Sequence, residues 1–157
     1  MNTLVCGPPC AGKTTWIAEH APPDAVVICY DTIAARLGHR GPGRPPFKLG
    51  RAAEAEVQRQ IASLERGEMD GVYVIRTMAG PERRADLAAR IQAAVVLLVP
   101  DRGELMRRAA QRYDPATTVR DIDRWLALEA AGTSVHQSAE VARDAPSRNA
   151  TGQRWVL

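Results

Sequence analysis

Residues 7–14 read Gly-Pro-Pro-Cys-Ala-Gly-Lys-Thr, and they fit the pattern GxxxxGK[ST] at every required position. The apolar run at 3–6 before them is typical of a buried strand, and residues 14–20 after them can open a helix. A strand, a glycine-bounded loop and a helix N-terminus point successive backbone N–H groups at one spot, where the helix dipole adds positive potential. Polyphosphate is the ligand that suits such a spot.

Each residue type in this stretch, called the phosphate loop below, has a role in holding a nucleoside triphosphate. Gly7 and Gly12 allow a close backbone approach that a Cβ would obstruct. Lys13 can reach the β- and γ-phosphates, and the Thr14 hydroxyl can ligate Mg²⁺. The predicted nucleotide-binding residues are Gly7, Pro8, Pro9, Cys10, Ala11, Gly12, Lys13, Thr14 and Thr15. The competing interpretation, a Gly/Pro-rich turn that matches by accident, is disfavoured by the strand and the helix on either side.

Length and composition favour one globular domain. A chain of 157 residues suits a single core, which must be built from Ala, Val, Leu and Ile because only 4% of the residues are aromatic. The net charge is +3, and Lys13 and Lys48 are the only lysines among its basic residues. Mild basicity of this kind is compatible with a nucleotide or nucleic-acid partner without demanding one. The oligomeric state is not indicated.

The cysteines Cys6, Cys10 and Cys29 form no CxxC pair or Cys/His cluster, so the sequence supports neither a zinc site nor a disulfide framework. No apolar run approaches the length of a transmembrane helix, and we expect no membrane partner. Because Met1 leads directly into the predicted first strand, we expect no signal peptide. We expect a reducing compartment and a cytoplasmic protein.

Strands and helices alternate along the rest of the chain. Continuous apolar runs predict further strands at 25–29, 72–75 and 94–99. Helices are predicted at 32–37 with Asp31 or Thr32 as cap, at 49–65, 82–92 and 101–112, and from a Thr117 or Thr118 cap to about 130. This order predicts an α/β fold, a three-layer P-loop NTPase sandwich whose mostly parallel sheet has helices on both faces.

The whole chain, 1–157, is predicted to be one kinase-like domain. Residues 132–157 are left as a C-terminal segment, with 155–157 as a short final strand or a strip packed on the sheet.

Ligands of such sheets sit beyond the carboxyl ends of the strands, which directs attention to the residues that follow each strand. Asp31 follows the second strand, Arg76 and Thr77 the third, and Asp101 and Arg102 the fourth. Asp31 is the best candidate for orienting and deprotonating an acceptor hydroxyl. The alternative is that Asp31 only caps the next helix.

Arginines near residue 110 are candidates for stabilising a transferring phosphoryl group. Arg107, Arg108 and Arg112 precede a loop broken by Asp114-Pro115. Arg108 and Arg112 are four residues apart, which predicts that they share one helical face of a short Arg-bearing lid. The alternative is a solvated basic face.

A basic Gly/Pro-rich loop covers residues 39–48. Its Arg40, Arg44 and Lys48 can meet the phosphates of an acceptor, although a simple surface loop fits its composition equally well. It lacks the interleaved aromatics of a stacking platform.

The histidines and two of the tryptophans carry no predicted chemistry. His20, His39 and His136 are scattered along the chain, so none is assigned a catalytic role. Trp16 and Trp125 lie on predicted helical faces and are interpreted as core residues.

Four stretches together carry a family resemblance: residues 7–15 followed by Trp16, the strand that ends at Asp31, residues 80–84 (Gly-Pro-Glu-Arg-Arg), and residues 104–112. On these, residues 1 to about 126 resemble the 5′-kinase domain of phage polynucleotide kinase. They also resemble the wider AAA_33-type set of small P-loop kinases, which includes zeta-toxin-like and chloramphenicol phosphotransferase-like enzymes.

The resemblance implies an ATP-dependent enzyme that moves the γ-phosphate to a hydroxyl, with a polynucleotide 5′-OH or a nucleotide-like molecule as acceptor. It implies Asp31 as general base, Lys13 and Thr14 as phosphate and Mg²⁺ ligands, and Arg108 and Arg112 as lid contacts. Two alternatives stay open. One is a non-kinase P-loop ATPase or nucleotide-binding accessory protein of phage or DNA-processing type, and the other is a nucleoside or nucleoside-monophosphate kinase.

Two departures from the family pattern concern the acceptor. Arg76 stands where the family commonly has an acid, and an extra cation there would either bind an acceptor phosphate or mark an altered or lost acceptor site. The family's arginine close after the base is matched only by Arg36, five residues on. The candidate acceptor contacts are Arg36, Arg40, Arg44, Arg76 and Thr77.

Overall fold

The computed structural model describes residues 1–136, with side chains described to residue 132. Its elements in chain order are β1 (Asn2–Cys6), α1 (Lys13–His20), β2 (Val27–Ile28), α2 (Tyr30–Arg36), α3 (Phe47–Glu65), β3 (Tyr73–Arg76), α4 (Pro81–Arg90), β4 (Ala93–Leu97), α5 (Arg102–Ala109) and α6 (Pro115–His136). The predicted final strand at 155–157 lies outside the described residues. None of the helices within residues 1–136 combines the length and apolar character needed to cross a bilayer.

The four strands form one parallel sheet in the order β2-β3-β1-β4. The central strand β1 pairs with β3 on one side and with β4 on the other, so that Leu4 lies opposite both Val74 and Val95. Because all strands are parallel, their carboxyl ends meet at one edge of the sheet. The phosphate loop leaves β1 at the middle of that edge.

Side chains of β1 alternate between two cores, as the pleat of a strand requires. Leu4 and Cys6 point into a cluster built with α2, α3 and α4, whereas Val5 points into a second cluster with Ile17 of α1 and Leu98. Helices therefore cover both faces of the sheet, which confirms the predicted α/β class. A third cluster joins α5 and α6 through Leu105 and Ile122.

The boundaries of several elements differ from the prediction. The strand predicted at 25–29 is regular only over Val27–Ile28, and α3 begins at Phe47, so the loop before it ends at Pro46. The threonines do not cap α6, because Asp114 does so by accepting a hydrogen bond from the Thr117 amide at 3.0 Å.

Trp16 and Trp125 lie where a core assignment places them. Trp125 is buried, and Trp16 is half-buried with its ring stacked on His20 at a centroid distance of 4.5 Å.

Candidate functional site

The first residue of the phosphate loop passes close to the backbone that follows β4. Gly7 has φ 152°, and a Cβ at this position would lie 2.2 Å from the Leu98 carbonyl oxygen. Gly12 has φ 89° and precedes the first residue of α1. Cys10 has φ 64°, an unusual conformation for a residue other than glycine. Glycine is therefore required at position 7 by space as well as by backbone torsion.

Lys13 lies inside the loop with 9% of its surface exposed. Its Nζ donates hydrogen bonds to the carbonyl oxygens of Gly7 at 2.9 Å and Pro8 at 2.6 Å. Burial lowers the pKa of Lys13 to about 8, although the neighbouring Cys6, Cys10 and Asp31 oppose the shift. The first turn of α1 contains no acidic residue that would offset the positive end of the helix dipole.

The residues near Thr14 fit a magnesium ion that is held mainly by phosphates and water. Thr14 is exposed in the first turn of α1. Among residues 1–132, no group of three or more His, Cys, Asp or Glu side chains is arranged to hold a metal by itself. Mg²⁺ usually keeps several waters and binds through few protein ligands plus substrate phosphates, so a single hydroxyl at this position is sufficient for such a site.

Arg108 braces the phosphate loop from α5. Its Nη1 donates to the Cys10 carbonyl oxygen at 3.0 Å, and its Nε donates to Glu104 Oε1 at 2.6 Å. The same Nη1 would lie 3.3 Å from a Cβ at Gly12. The structure therefore brings Arg108 against the loop, and it does so across 98 positions of sequence.

The other arginines of this stretch diverge from Arg108. α5 ends at Ala109, and Arg112 lies in the following turn with its amide bonded to the Ala109 carbonyl oxygen at 3.0 Å. The prediction that Arg108 and Arg112 share one helical face is therefore wrong. Arg112 nevertheless lines the cleft beside the phosphate loop. Arg107 is exposed and pairs with Glu104, which keeps it outside the site.

Asp31 faces the cleft from the first turn of α2. The helix begins at Tyr30, and its N-cap residue Cys29 makes no side-chain capping bond. The alternative that Asp31 or Thr32 caps α2 is therefore wrong, because both residues lie inside the helix. Asp31 is exposed and lines the same cleft as Lys13, close enough for its carboxylate to favour the charged lysine.

Arg76, predicted to follow the third strand, is the last residue of β3 and is not a free cation. Its Nη2 and Nη1 donate to the two carboxylate oxygens of Glu54 at 2.8 and 3.2 Å. Burial alone would raise the pKa of Glu54, but the hydrogen bonds from Arg76 and Gln58 outweigh it and hold that pKa below its ordinary value. Thr77 beside Arg76 is exposed and also lines the cleft.

The residues 38–46, called the bridging loop below, join α2 to α3 and reach over to α6. Arg44 pairs with Asp121 of α6, and the His39 ring lies 3.1 Å from the Gly43 carbonyl oxygen. A Cβ at Gly43 would lie 3.0 Å from the Tyr113 ring.

The basic candidates of this region differ in their relation to the cleft. Arg44 lines the cleft, whereas Arg36 and Arg40 are exposed outside the cleft wall. Lys48 belongs to the first turn of α3 and likewise lies outside the wall.

The cleft has a volume of about 1540 Å³ and runs along the carboxyl edge of the sheet from the phosphate loop toward β3 and β2. Its wall includes residues 9–15 of the phosphate loop and Arg112. It also includes Tyr30, Asp31, Glu54, Arg76, Thr77 and Arg83. Sites for one small ligand usually measure about 300 to 1,000 Å³. The cleft is therefore large enough for two substrates side by side.

Two ion pairs near this site, Arg84–Glu129 and Arg76–Glu54, were not predicted. Arg84 is buried and donates to both carboxylate oxygens of Glu129, at 2.6 and 2.5 Å, while the Gly80 amide donates to Glu129 Oε2 at 2.8 Å. This pair fastens α4 to α6, and no sequence signal connects two residues 45 positions apart. One sequence pattern could have indicated that Glu54 lies near the core, because Glu54 adjoins the apolar stripe of α3 at Ala53 and Val57.

The family profile described as AAA domain (AAA_33) matches residues 3–131, which include the phosphate loop, the sheet, α5 and most of α6. The chain belongs to this AAA domain family. A search of curated proteins finds no match. Membership of the AAA domain family confirms the expected small P-loop NTPase and implies nucleotide binding, usually with Mg²⁺. The narrower polynucleotide-kinase and zeta-toxin resemblance stays a prediction.

Proposed function

We propose that this AAA domain protein is an ATP-dependent phosphotransferase that moves the γ-phosphate to a hydroxyl acceptor. The observation that carries the proposal is the placement of Asp31 in one cleft with Lys13 and the phosphate loop. Within the described part of the chain, Asp31 caps no helix and takes part in no ion pair. A carboxylate in this position has access to a second substrate beside the phosphate-binding end.

The donor end is suited to hold ATP and to stabilise charge on the transferring phosphoryl group. The loop amides and Lys13 bind the β- and γ-phosphates, and Arg112 lies on the same cleft wall. Arg108 keeps the loop in its binding conformation through the Cys10 carbonyl. Thr14 is the residue that would hold Mg²⁺, which supplies neutralisation of phosphate charge when bound.

In the acceptor half, Asp31 acts as the general base. Its carboxylate accepts the proton of the acceptor hydroxyl while the oxygen of that hydroxyl forms a bond to the γ-phosphorus. The bond between the γ-phosphorus and the bridging oxygen breaks, and ADP leaves with that oxygen. A polynucleotide 5′-OH or a nucleotide-like molecule is the acceptor class that the resemblance implies, with nucleosides and nucleoside monophosphates as the alternative.

The substitution Asp31→Asn tests the base assignment. We expect kcat to fall by about 10² to 10⁴, the usual contribution of a positioned general base, while ATP affinity stays within about threefold. Asp24→Asn is the matched control, because Asp24 is exposed in the turn before β2 and lies outside the cleft wall. Normal transfer by Asp31→Asn would show that another group takes the proton.

Label transfer from γ-labelled ATP tests the activity itself. The acceptors are 5′-OH DNA, 5′-OH RNA, nucleosides and nucleoside monophosphates. Labelling of any of these supports the proposal and identifies the acceptor. Labelling of none, with nucleotide binding intact, contradicts it.

A second candidate is an NTPase or nucleotide-binding accessory protein without an acceptor. The observation that favours it is Arg76, which replaces an acid of the family pattern and is engaged by Glu54. This candidate predicts phosphate release from ATP that is unchanged by every acceptor and unaffected by Asp31→Asn.

A further inference from the structure

Residues 77–83, called the acceptor segment below, join β3 to the first turn of α4 and form part of the cleft wall. Thr77 and Arg83 both line the cleft and are exposed. Within residues 1–132, Arg83 takes part in no ion pair, whereas Arg76 just before the segment is paired. Thr77 and Arg83 are therefore side chains of this segment that can meet an acceptor.

The acceptor segment is anchored to two different helices. Just before it, Arg76 donates two hydrogen bonds to Glu54 of α3. Within it, the Gly80 amide donates a hydrogen bond to Glu129 Oε2 of α6 at 2.8 Å. Gly80 has φ 91°, a torsion that glycine adopts at little cost, and α4 begins at the next residue. The direction in which α4 leaves the cleft is thus set beside a contact with α6.

Arg84 completes the second anchor from inside the protein. Its side chain is 7% exposed and that of Glu129 is 18% exposed, and the two groups form a bidentate pair. Arg84 Nη1 also lies 3.4 Å from the Met78 carbonyl oxygen. Bidentate hydrogen bonds between ions fix geometry more closely than a single contact does. The Gly80 amide, Arg84 and Glu129 are called the latch below.

Stability alone does not explain a charged latch at this place. Apolar pairs of similar volume are often at least as stable as a buried ion pair, because they avoid the cost of removing two charges from water. A bidentate pair instead fixes the orientation of the groups that it joins. The groups joined here are α6 and the backbone that leads from the cleft wall into α4.

Helix α6 also packs beside the phosphate loop. Ile122 of α6 and Leu105 of α5 belong to one buried cluster, against which Cys10 of the phosphate loop packs. Glu129 follows Ile122 by seven positions on the same unbroken helix, about 10 Å along its axis. One helix therefore sets the position of the acceptor segment relative to the phosphate loop.

Building on the proposed phosphotransfer, we propose that Glu129 is a positioning residue for the acceptor. It lies outside the cleft wall and acts through the latch. The latch holds the acceptor segment at a fixed distance from the phosphate loop, so that Thr77 and Arg83 meet the acceptor. The acceptor hydroxyl is then held between Asp31 and the γ-phosphate.

Glu129→Gln tests this role. It keeps the shape of the side chain but removes the charge and turns an amide N–H group toward the donors of Arg84 or Gly80. We expect kcat/KM for the acceptor to fall by about ten- to a hundredfold, mainly through a higher acceptor KM, as a misplacement of about 1 Å can cause. The KM for ATP should stay within about threefold, because the phosphate loop and Lys13 are left in place. A merely structural role would lower the fraction of folded enzyme, and hence the apparent kcat, without changing either KM.

An apolar double variant separates positioning from stability. Arg84→Met/Glu129→Met removes both charges together, so no lone buried charge remains and the fold should be largely retained. The Gly80 amide loses its partner in this variant, and the acceptor KM should still rise by about tenfold. Glu65→Gln is the matched control, because Glu65 pairs with Arg90 at the other end of α4 and lies outside the cleft wall. Both KM values should be unchanged in the control.

The possible results separate this inference from the proposed function. No transfer by the wild-type protein to any acceptor overturns the phosphotransfer and this inference with it. Transfer with an unchanged acceptor KM in Glu129→Gln, or an equal rise of both KM values, overturns the inference alone. If Glu129→Gln fails to fold, the double variant decides, and a wild-type acceptor KM in that variant overturns the inference.

Gly132→Ala gives an independent check that leaves the ion pair intact. A Cβ at Gly132 would lie 2.7 Å from Pro81 Cδ, so this substitution pushes α6 away from the acceptor segment without removing a charge. It should raise the acceptor KM and leave the KM for ATP within about threefold. An unchanged acceptor KM would contradict the positioning of this segment by α6.

Discussion

Nucleotide affinity should fall in mildly alkaline solution because of the buried lysine of the phosphate loop. Burial lowers the pKa of Lys13 from 10.5 to about 8 in the nucleotide-free protein. A bound triphosphate supplies negative charge beside Nζ and returns this pKa toward its ordinary value. Binding at a pH above 8 therefore requires a proton to be taken up from solution.

The size of the effect follows from the two pKa values. With about 8 in the free protein and 10.5 in the complex, linkage predicts that affinity falls about tenfold between pH 7 and pH 9. The same values predict uptake of about 0.1 proton per nucleotide at pH 7 and about 0.9 at pH 9. Titration of a terminal phosphate contributes little here, since its second pKa lies near 6.

Isothermal titration calorimetry in buffers of different ionisation enthalpy measures this proton uptake directly. The control is Lys13→Arg, which keeps a cation at the loop and every other group nearby but does not titrate in this window. Its uptake at pH 9 should be close to zero if it still binds. The same affinity at both pH values for the wild-type protein, with no proton uptake, would refute the assignment of a depressed pKa to Lys13.

Two further predictions concern stability and are read from denaturant unfolding curves. Gly7→Ala places a Cβ 2.2 Å from the Leu98 carbonyl oxygen and should lower the free energy of unfolding by about 3 kcal/mol or more. The control Gly67→Ala, at φ 70° with open space around it, should lower it by only about 1 to 2 kcal/mol. Similar losses for the two variants would contradict the clash at Gly7. Arg84→Met leaves the Glu129 carboxylate without its buried partner and should lower the free energy of unfolding by about 3 kcal/mol. The double variant Arg84→Met/Glu129→Met should lose less than Arg84→Met alone. A double variant that is at least as unstable would contradict the ion-pair explanation.

The sequence predicted the elements that rest on local patterns. The phosphate loop, the strand before it and the helix after it were correct because glycine spacing and apolar runs act over a few residues. The parallel sheet followed from the alternation of strands and helices. Membership of the AAA domain family agrees with this prediction.

The prediction failed where distant charges meet. The sequence shows Arg76 as an extra cation but indicates no partner for it. That partner, Glu54, comes from α3, 22 positions earlier, and only the packing of α3 beside β3 brings them together. The sequence pattern predicts Arg112 on a helix that in fact ends three residues sooner, at Ala109. It leaves Asp31 as a possible cap, although α2 begins one residue before it. Each error concerns a partner or a boundary that tertiary packing decides.

The central position of β1 has a consequence for synthesis of the chain on the ribosome. Asn2 pairs with Ala93, and Thr3 pairs with Tyr73, so the first strand waits for partners that are made much later. At about 5–20 residues per second, some 90 residues of elongation take roughly 5–20 s. The apolar β1 has two unpaired edges until β3 has been made, and one unpaired edge until β4 has been made. The nucleotide-binding loop, which leaves β1, is thus translated before both strands that flank it in the sheet.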